Sequence, residues 1–153
     1  MKLLLIGGGG REHALAWKLG RDRARPSLFC APGNAGTAAL GENLDIAAED
    51  VPGLLAWARR EKPDLTVVGP EAPLCAGLAD EFQAAGLRVF GPSRAAAQLE
   101  GSKGFAKEVL LAAGVPTAGG ASFTDYDRAL AHVRAGPLPV VIKADGLAAG
   151  KGV

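Results

Sequence analysis

Two lysines near the end of the sequence are placed to bind a polyphosphate. Lys143 closes an apolar run that starts at Val140, and Lys151 lies in the glycine-rich loop that follows. An unpaired ammonium at the end of a buried strand is costly, so a phosphate contact at Lys143 is favoured over a chance surface lysine. The loop is not a P-loop, because Asp145 and Gly152 stand where that motif has glycine and serine or threonine. A strand is expected to follow it, which indicates a loop folding over a nucleotide between two antiparallel strands.

A second candidate site lies at residues 7–10, four glycines between an apolar run and a segment with helical spacing. Glycines allow close approach of a ligand, and a helix N-terminus favours an anion. The dinucleotide pattern G-x-G-x-x-G fails at Glu12 or His13, and no acidic residue ends a second strand about 20 residues on. A phosphate or substrate site is therefore favoured over a dinucleotide site. A purely structural turn, with Arg11 and His13 as solvated residues, stays open.

Two more loops follow predicted strands, at residues 32–37 and 69–73. Taken alone, each is most simply a turn. In an open parallel sheet, however, ligands bind beyond the carboxyl ends of the strands, so both loops are expected on the same edge as the glycine turn. Together the three loops predict a shared cleft. Glu71, between two prolines, could bind an amine or hydroxyls there, or cap the next helix.

Alternating strands and helices must position these loops. Short apolar runs bounded by glycine or proline predict strands, and apolar residues at helical spacing predict helices. The expected strands are 2–6, 27–31, 44–46, 65–68 and 87–90, and the expected helices are 11–19, 51–61 and 74–85. Asp50 is expected to cap the second helix. This order predicts an α/β fold with an open, mostly parallel sheet and right-handed crossovers.

A second region starts near Gly101 and contains fewer elements. Helices are expected at 93–99, 103–113 and 126–135, with Ser102 and Asp125 as caps, and strands at 121–123 and 140–143. A return strand is expected from Gly152 or Val153. The region is too small to bury an independent core, so we expect it to be part of a longer chain. The predicted division is a domain at 1–101 and an incomplete domain at 102–153.

Composition narrows the function classes. A formal net charge of +1 in 153 residues argues against a basic nucleic-acid face. Cys30 and Cys75 lack metal or redox spacing and are expected to be buried free thiols in a reducing cytosol. The first apolar run is too short for a signal peptide or a membrane span. Trp17 and Trp57 are expected to pack, and His132 to lie on the surface; neither a Ser–His–Asp set nor a metal-ligand cluster is evident.

Six motifs, in order, resemble the glycinamide ribonucleotide synthetase family of the ATP-grasp superfamily. They are GGGGREHALAWKL, APGNAGT, DLTVVGPEAPL, VFGPS, AAQLEGSKGFAK and VVIKADGLAAGKGV. The resemblance covers the whole sequence at spacing similar to the family's. One departure is Gly8, where many relatives carry a polar residue such as asparagine. The resemblance implies a substrate-binding domain of Rossmann-like fold that precedes the start of an ATP-grasp domain.

The resemblance also implies a reaction. ATP phosphorylates the carboxylate of glycine, and the amine of 5-phosphoribosylamine attacks the glycyl phosphate, giving glycinamide ribonucleotide, ADP and phosphate. The residues that match the family's ATP contacts are Lys103, Lys143, Asp145, Gly146, Gly150, Lys151 and Gly152. Those that match its phosphoribosylamine-binding domain are Gly9, Gly10, Arg11, Glu12, His13, Asn34, Gly36, Pro70 and Glu71. Catalytic residues are not identified in this segment.

The metal ligands of such enzymes, for Mg²⁺ or Mn²⁺, are expected beyond residue 153, so the sequence alone is expected to be inactive. The expected partners are small molecules, with neither nucleic acid nor membrane, in a cytoplasmic monomer. Two alternatives stay open: another ATP-grasp carboxylate–amine ligase, and a non-catalytic nucleotide-binding α/β module. A dinucleotide-dependent oxidoreductase is disfavoured by the failed glycine pattern.

Overall fold

A five-stranded parallel sheet organises the first two thirds of the chain. In the computed structural model, which describes residues 1–148, the chain divides into two compact units, Met1–Ala97 and Gln98–Val153. The strands are β1 (Lys2–Gly7), β2 (Ser27–Pro32), β3 (Glu42–Asn43), β4 (Leu65–Val68) and β5 (Val89–Phe90), in the spatial order β3-β2-β1-β4-β5. Every pairing is parallel, which confirms the predicted sheet.

Helices connect the strands and extend into the second unit. They are α1 (Gly10–Gly20), α2 (Ala35–Ala38), α3 (Val51–Glu61), α4 (Glu71–Cys75), α5 (Leu78–Ala84), α6 (Arg94–Gly101), α7 (Lys103–Ala112) and α8 (Tyr126–Ala135). None of the helices described is long and apolar enough to cross a bilayer.

The central strand β1 is buried on both faces. Leu3 and Leu5 pack in one cluster with Ala16 of α1, whereas Leu4 and Ile6 lie in a second cluster that contains residues of α3 and α5. This division follows from the two-residue period of a strand. Burying a leucine or isoleucine side chain fully contributes about 1.5–3 kcal/mol. The continuous apolar run Leu3–Ile6 therefore specifies a strand covered by helices on both sides.

Local capping explains why several helix bounds agree with the sequence. Asp50 accepts a hydrogen bond from the Gly53 backbone N–H at 3.0 Å, and α3 has the predicted bounds. Ser102 and Asp125 cap α7 and α8 in the same way. These three predictions depend on contacts only three residues apart, which a sequence displays directly.

Replacing Asp50 by alanine should lower the free energy of unfolding by about 1 kcal/mol, because the N-terminal donors of α3 lose their acceptor. Urea denaturation followed by tryptophan fluorescence measures this. Glu49→Ala, a matched loss of a carboxylate one residue earlier, should change the free energy by less than about 0.5 kcal/mol. Equal losses in the two variants would contradict the capping role.

One predicted element of the first unit, the third strand, is wrong in position. The third strand is Glu42–Asn43 instead of 44–46. Gly41 packs so closely on β2 that a Cβ there would lie 2.4 Å from the Leu28 carbonyl oxygen, which brings the next two residues into register with β2. The apolar Leu44, with which the predicted strand began, is buried just after the observed strand ends.

Three further features of the first unit differ from the prediction. The predicted helix 74–85 is two helices, because Gly77 adopts φ +94 between them. The loop at 32–37 contains the one-turn helix α2, and the fifth strand is only Val89–Phe90. Glycine at positive φ interrupts a helix although apolar residues continue on both sides.

In the second unit, the strands predicted at 121–123 and 140–143 are not present among the described residues. A strand needs a hydrogen-bonded neighbour, and the described part of the chain supplies none for these segments. Val141 and Ile142 are accordingly 67% and 70% exposed, and neither α7 nor α8 contains a fully buried residue. Apolar content alone therefore did not determine local structure here.

The single-residue expectations had mixed outcomes. Trp57 is buried against Phe29, with ring centroids 5.2 Å apart, as predicted. Trp17 is 45% exposed, so its predicted packing is wrong; the Arg21 guanidinium lies over its ring at 4.0 Å instead. Both cysteines are free, but only Cys30 is fully buried, and burial raises the pKa of its thiol.

Candidate substrate and nucleotide sites

Three loops start side by side at the carboxyl edge of the sheet. The last residues of β1 and β2, Gly7 and Pro32, are direct neighbours, and Ile6 of β1 pairs with Val68 of β4. The glycine turn, the 32–37 loop and the 69–73 loop therefore leave the sheet from adjacent positions, as the parallel topology predicts. We call these three loops the strand-end loops.

Asn34 joins the first two strand-end loops. Its Nδ2 donates to the carbonyl oxygens of Gly8 and Gly9 at 3.0 and 3.1 Å. Its Oδ1 accepts from the backbone N–H groups of Gly36 and Thr37 at 2.8 and 3.0 Å, which starts α2. The amide of Asn34 is thus fully used within the protein, so its contribution to a site is to fix the shape of both loops.

Arg11 joins the first strand-end loop to the third. Its Nη1 donates to the Gly69 carbonyl oxygen at 2.8 Å, and its Nη2 lies 3.6 Å from Oε2 of Glu71. The side chain remains 64% exposed. A guanidinium fixed in this way at the sheet edge, next to the first N–H groups of α1, offers exposed hydrogen-bond donors to an anion.

Glu12 lies beneath the glycine turn and is only 4% exposed. Its Oε2 accepts from the Gly9 backbone N–H at 2.7 Å. The first helical turn of α1 thus carries an exposed cation at Arg11 and a buried anion at Glu12.

His13, Gly36, Pro70 and Glu71 complete the set predicted from the sequence. The exposed imidazole of His13 lies against the backbone of Gly36, where a Cβ would be 2.3 Å from His13 Cε1. Pro70 is at the N-cap position of α4, without a side-chain capping hydrogen bond, and the half-buried Glu71 is the first residue of that helix. The structure therefore brings every predicted residue of the first unit to one edge of the sheet.

The second unit brings together three of the residues predicted to bind ATP. Asp145 accepts hydrogen bonds from the backbone N–H groups of Lys103 and Gly104 at 2.6 and 3.3 Å and from the Ser102 hydroxyl at 2.9 Å. Lys103 Nζ donates to the Gly146 carbonyl oxygen at 2.7 Å. The segment after Lys143 is thereby attached to the N-terminus of α7.

The hydrogen bond from Ser102, followed by those of the Gly146 and Gly104 backbone, lowers the pKa of Asp145. A lowered folded-state pKa means that Asp145 stabilises this attachment fully above its ordinary pKa and loses the effect as pH falls through the lowered value. We expect the amide protection of Lys103 and Gly104, corrected for intrinsic exchange, to fall in that acidic range. Hydrogen exchange on Asp145→Asn should show low protection at every pH, and Asp127→Asn should behave as the wild type. Identical profiles for all three proteins would contradict this role of Asp145.

Lys143 does not lie where the sequence predicted. The prediction placed Lys143 at the end of a buried strand. Residues 140–143, Lys143 included, are instead exposed and pair with no strand in the described part of the chain. The predicted contacts Gly150, Lys151 and Gly152 lie outside the described residues. Within residues 1–148, no cluster of three or more His, Cys, Asp or Glu side chains could hold a metal ion.

Two supporting residues were missed in the sequence. The buried Thr37 accepts from the Asn34 backbone N–H at 2.7 Å, and its hydroxyl lies 2.8 Å from Oδ1 of Asn43. The spacing Asn34-x-x-Thr37 is a capping-box pattern and could have indicated this turn. Asn43 could not have been found in this way, because it lies in the next strand and no short-range pattern links it to Thr37.

A parallel α/β sheet with linked strand-end loops is followed along the chain by α7, whose first residue is Lys103. Residues 1–100 match the family described as phosphoribosylglycinamide synthetase, N domain, and residues 101–153 match the ATP-grasp (A) domain of the same synthetase. The chain belongs to the phosphoribosylglycinamide synthetase family.

Relatives and solved structures agree with this assignment. A phosphoribosylamine–glycine ligase of Brucella melitensis is 58% identical over 153 residues, which is all of this chain and 36% of that protein. The crystal structure of phosphoribosylamine–glycine ligase from Thermotoga maritima has a TM-score of 0.75 at 31% identity and covers 99% of this chain and 35% of that one. N5-carboxyaminoimidazole ribonucleotide synthetase from Thermotoga maritima shares the fold, with a TM-score of 0.56 at 18% identity over 77% of this chain and 32% of that one. The chain thus spans about a third of the curated relatives' length.

Proposed function

We propose that this chain is the N-terminal part of an enzyme that joins glycine to 5-phosphoribosylamine with cleavage of ATP. The observation that carries the proposal is the fixed Arg11 guanidinium beside the start of α1, in a chain that matches both family domains in order. A phosphate monoester is the ligand that such a cation and free N–H groups bind well. We therefore assign the strand-end loops to the substrate that carries a phosphate.

The proposed division of labour follows the two units. Residues 1–101 bind 5-phosphoribosylamine and residues 102–153 begin the ATP-binding domain; the family boundary after residue 100 and the compact-unit boundary after Ala97 support this division. In the first, the half-buried carboxylate of Glu71 faces the sugar hydroxyls or the amine. In the second, we assign Lys103, Lys143, Asp145, Gly146, Gly150, Lys151 and Gly152 to the nucleotide side.

The chemistry has two steps. A carboxylate oxygen of glycine attacks the γ-phosphorus of ATP, and ADP leaves. The amine nitrogen of phosphoribosylamine then attacks the carbonyl carbon of glycyl phosphate, phosphate leaves, and the nitrogen loses a proton. Lysine ammonium groups neutralise charge on the triphosphate, and the strand-end loops orient the amine by holding its phosphate.

A divalent cation, Mg²⁺ or Mn²⁺, would neutralise further phosphate charge. The residues described here do not fit its site, because none of their acidic side chains form a suitable cluster. Its ligands are proposed to lie beyond residue 153. The proposed partners are small molecules alone, in a cytoplasmic monomer. The free cysteines support a reducing compartment, and the net charge of +1 argues against a nucleic-acid partner.

A chimera tests the function. This chain would replace the matched 153 residues of the Brucella melitensis ligase. We expect phosphate release only when ATP, glycine and phosphoribosylamine, formed in situ from ribose 5-phosphate and ammonia, are all present. The 153-residue chain alone should release none. Release by the chain alone, or release by the chimera without phosphoribosylamine, would contradict the proposal.

Arg11→Ala in the chimera should raise the KM for phosphoribosylamine by about 10- to 100-fold, the factor for a lost charge-assisted hydrogen bond. The KM for ATP should stay within about twofold, because Arg11 lies on the strand-end loops. Lys18→Ala, which removes an exposed cation from the last turn of α1, should change neither constant. A rise in both KM values for Arg11→Ala would contradict the proposal that the strand-end loops bind the phosphoribosyl group.

A further inference from the structure

Glu12 is the only charged side chain among residues 1–148 that is fully buried. Burying a carboxylate is costly unless its oxygens are paired. Here only Oε2 is satisfied, by the Gly9 N–H at 2.7 Å. Oε1 has no hydrogen-bond partner in the described structure, and its nearest cation, Arg11 Nε, is 3.6 Å away, which is too long for a hydrogen bond. An anion here also works against binding a phosphate nearby.

Two strand-end loops are shaped to admit this side chain. A Cβ at Gly7 would lie 2.5 Å from Glu12 Cγ, and a Cβ at Gly69 would lie 2.1 Å from Glu12 Oε1. Glycine at both positions leaves room for the carboxylate between the ends of β1 and β4. The contact to the Gly9 N–H also makes Glu12 the N3 residue of a capping box at the start of α1, so the fold accommodates its charge in a prepared position.

We infer that Glu12 is a positioning residue for the phosphate-binding edge of the substrate site, an inference that depends on the function proposed above. By holding the Gly9 N–H inward, Glu12 removes that donor from the site and fixes the turn that precedes α1. The donors left to face an anion are then the next N–H groups, of Gly10, Arg11 and Glu12, because the first helical hydrogen bond is donated by His13.

The test uses the 153-residue chain with ribose 5-phosphate as the probe, at a temperature well below the Tm of every variant. Glu12→Ala should weaken the probe's Kd at least about tenfold and abolish hydrogen-exchange protection of the Gly9 amide. Glu12→Gln keeps an oxygen acceptor for the Gly9 N–H, so Kd should stay within about threefold and protection should persist. Glu81→Ala, the same truncation at an exposed glutamate in the first turn of α5, should alter neither.

The outcomes separate the inference from the function on which it depends. If the wild type binds the probe and Glu12→Ala binds it equally well, Glu12 is only structural and the inference is wrong. A loss of affinity in Glu12→Gln equal to that in Glu12→Ala would also overturn it, because the role would then be one of charge. If the wild type does not bind the probe at all, the proposed phosphate site is wrong, and the positioning role is rejected with it.

Discussion

Phe82→Ala is expected to lower the free energy of unfolding by about 3–5 kcal/mol, the largest effect on stability that we predict. Phe82 lies on α5 with no exposed surface, and it belongs to the cluster that also contains Leu4, Ile6 and Leu54. Truncation removes the apolar surface of the ring from the core and leaves a cavity that surrounding helices fill only in part. Domains are typically stable by about 5–15 kcal/mol, so such a loss is a large share of the total.

Urea denaturation of the first unit measures this loss through the fluorescence of Trp57, which packs on the same cluster. The matched control is Phe90→Ala. Phe90 is 70% exposed in the edge strand β5, so the same truncation should cost about 1 kcal/mol or less. A cost for Phe90 similar to that for Phe82 would mean that α5 does not cover the sheet as described.

The parts of the fold that the sequence predicts well are those with local causes. The continuous apolar run of β1 demands burial on both faces, and Asp50, Ser102 and Asp125 mark helix starts by contacts three residues away. Parallel topology then places the three strand-end loops on one edge without knowledge of any contact. For this reason the class of fold and the location of the candidate site are predictable from residue order.

The parts that the sequence predicts poorly depend on partners distant along the chain. The strand expected at 140–143 has apolar residues of the right kind but no described neighbour to pair with, so its side chains are exposed. β3 starts two residues early because Gly41 fits against Leu28 of β2. A hydrophobic pattern indicates that a side chain prefers burial. It does not indicate which neighbouring strand will pair with the backbone of that segment.

The candidate site shows the same limit at the level of single atoms. Resemblance selected Asn34 and Glu12 as binding residues, and both are at the predicted edge. Their polar groups, however, point into the protein: Asn34 to Gly8 and Gly9, and Glu12 to Gly9. Arg11, in contrast, remains largely exposed while its guanidinium is fixed. A motif thus identifies the neighbourhood of a site, and only the three-dimensional contacts separate residues that face a ligand from residues that shape the loops.

Gly7→Ala is the second substitution with a large expected effect, because it acts on both the backbone and the buried carboxylate. Gly7 adopts φ +123, a conformation that costs an L-residue about 1–3 kcal/mol. The added Cβ would also lie 2.5 Å from Glu12 Cγ, so the carboxylate must leave its position or the end of β1 must shift. We expect the free energy of unfolding to fall by at least this backbone cost of about 1–3 kcal/mol, and the Gly9 amide to lose its protection from hydrogen exchange.

Gly10→Ala provides the matched control within the same turn. A Cβ at Gly10 meets no atom within 4 Å, and Gly10 is the first residue of α1, so stability should change by about 0.5 kcal/mol or less. Urea denaturation and hydrogen exchange of both variants distinguish the two positions. Equal behaviour would show that the four glycines are interchangeable, as a merely flexible turn requires. Loss at Gly7 alone shows that this turn has one defined shape, because a flexible turn would tolerate the methyl group equally at either glycine.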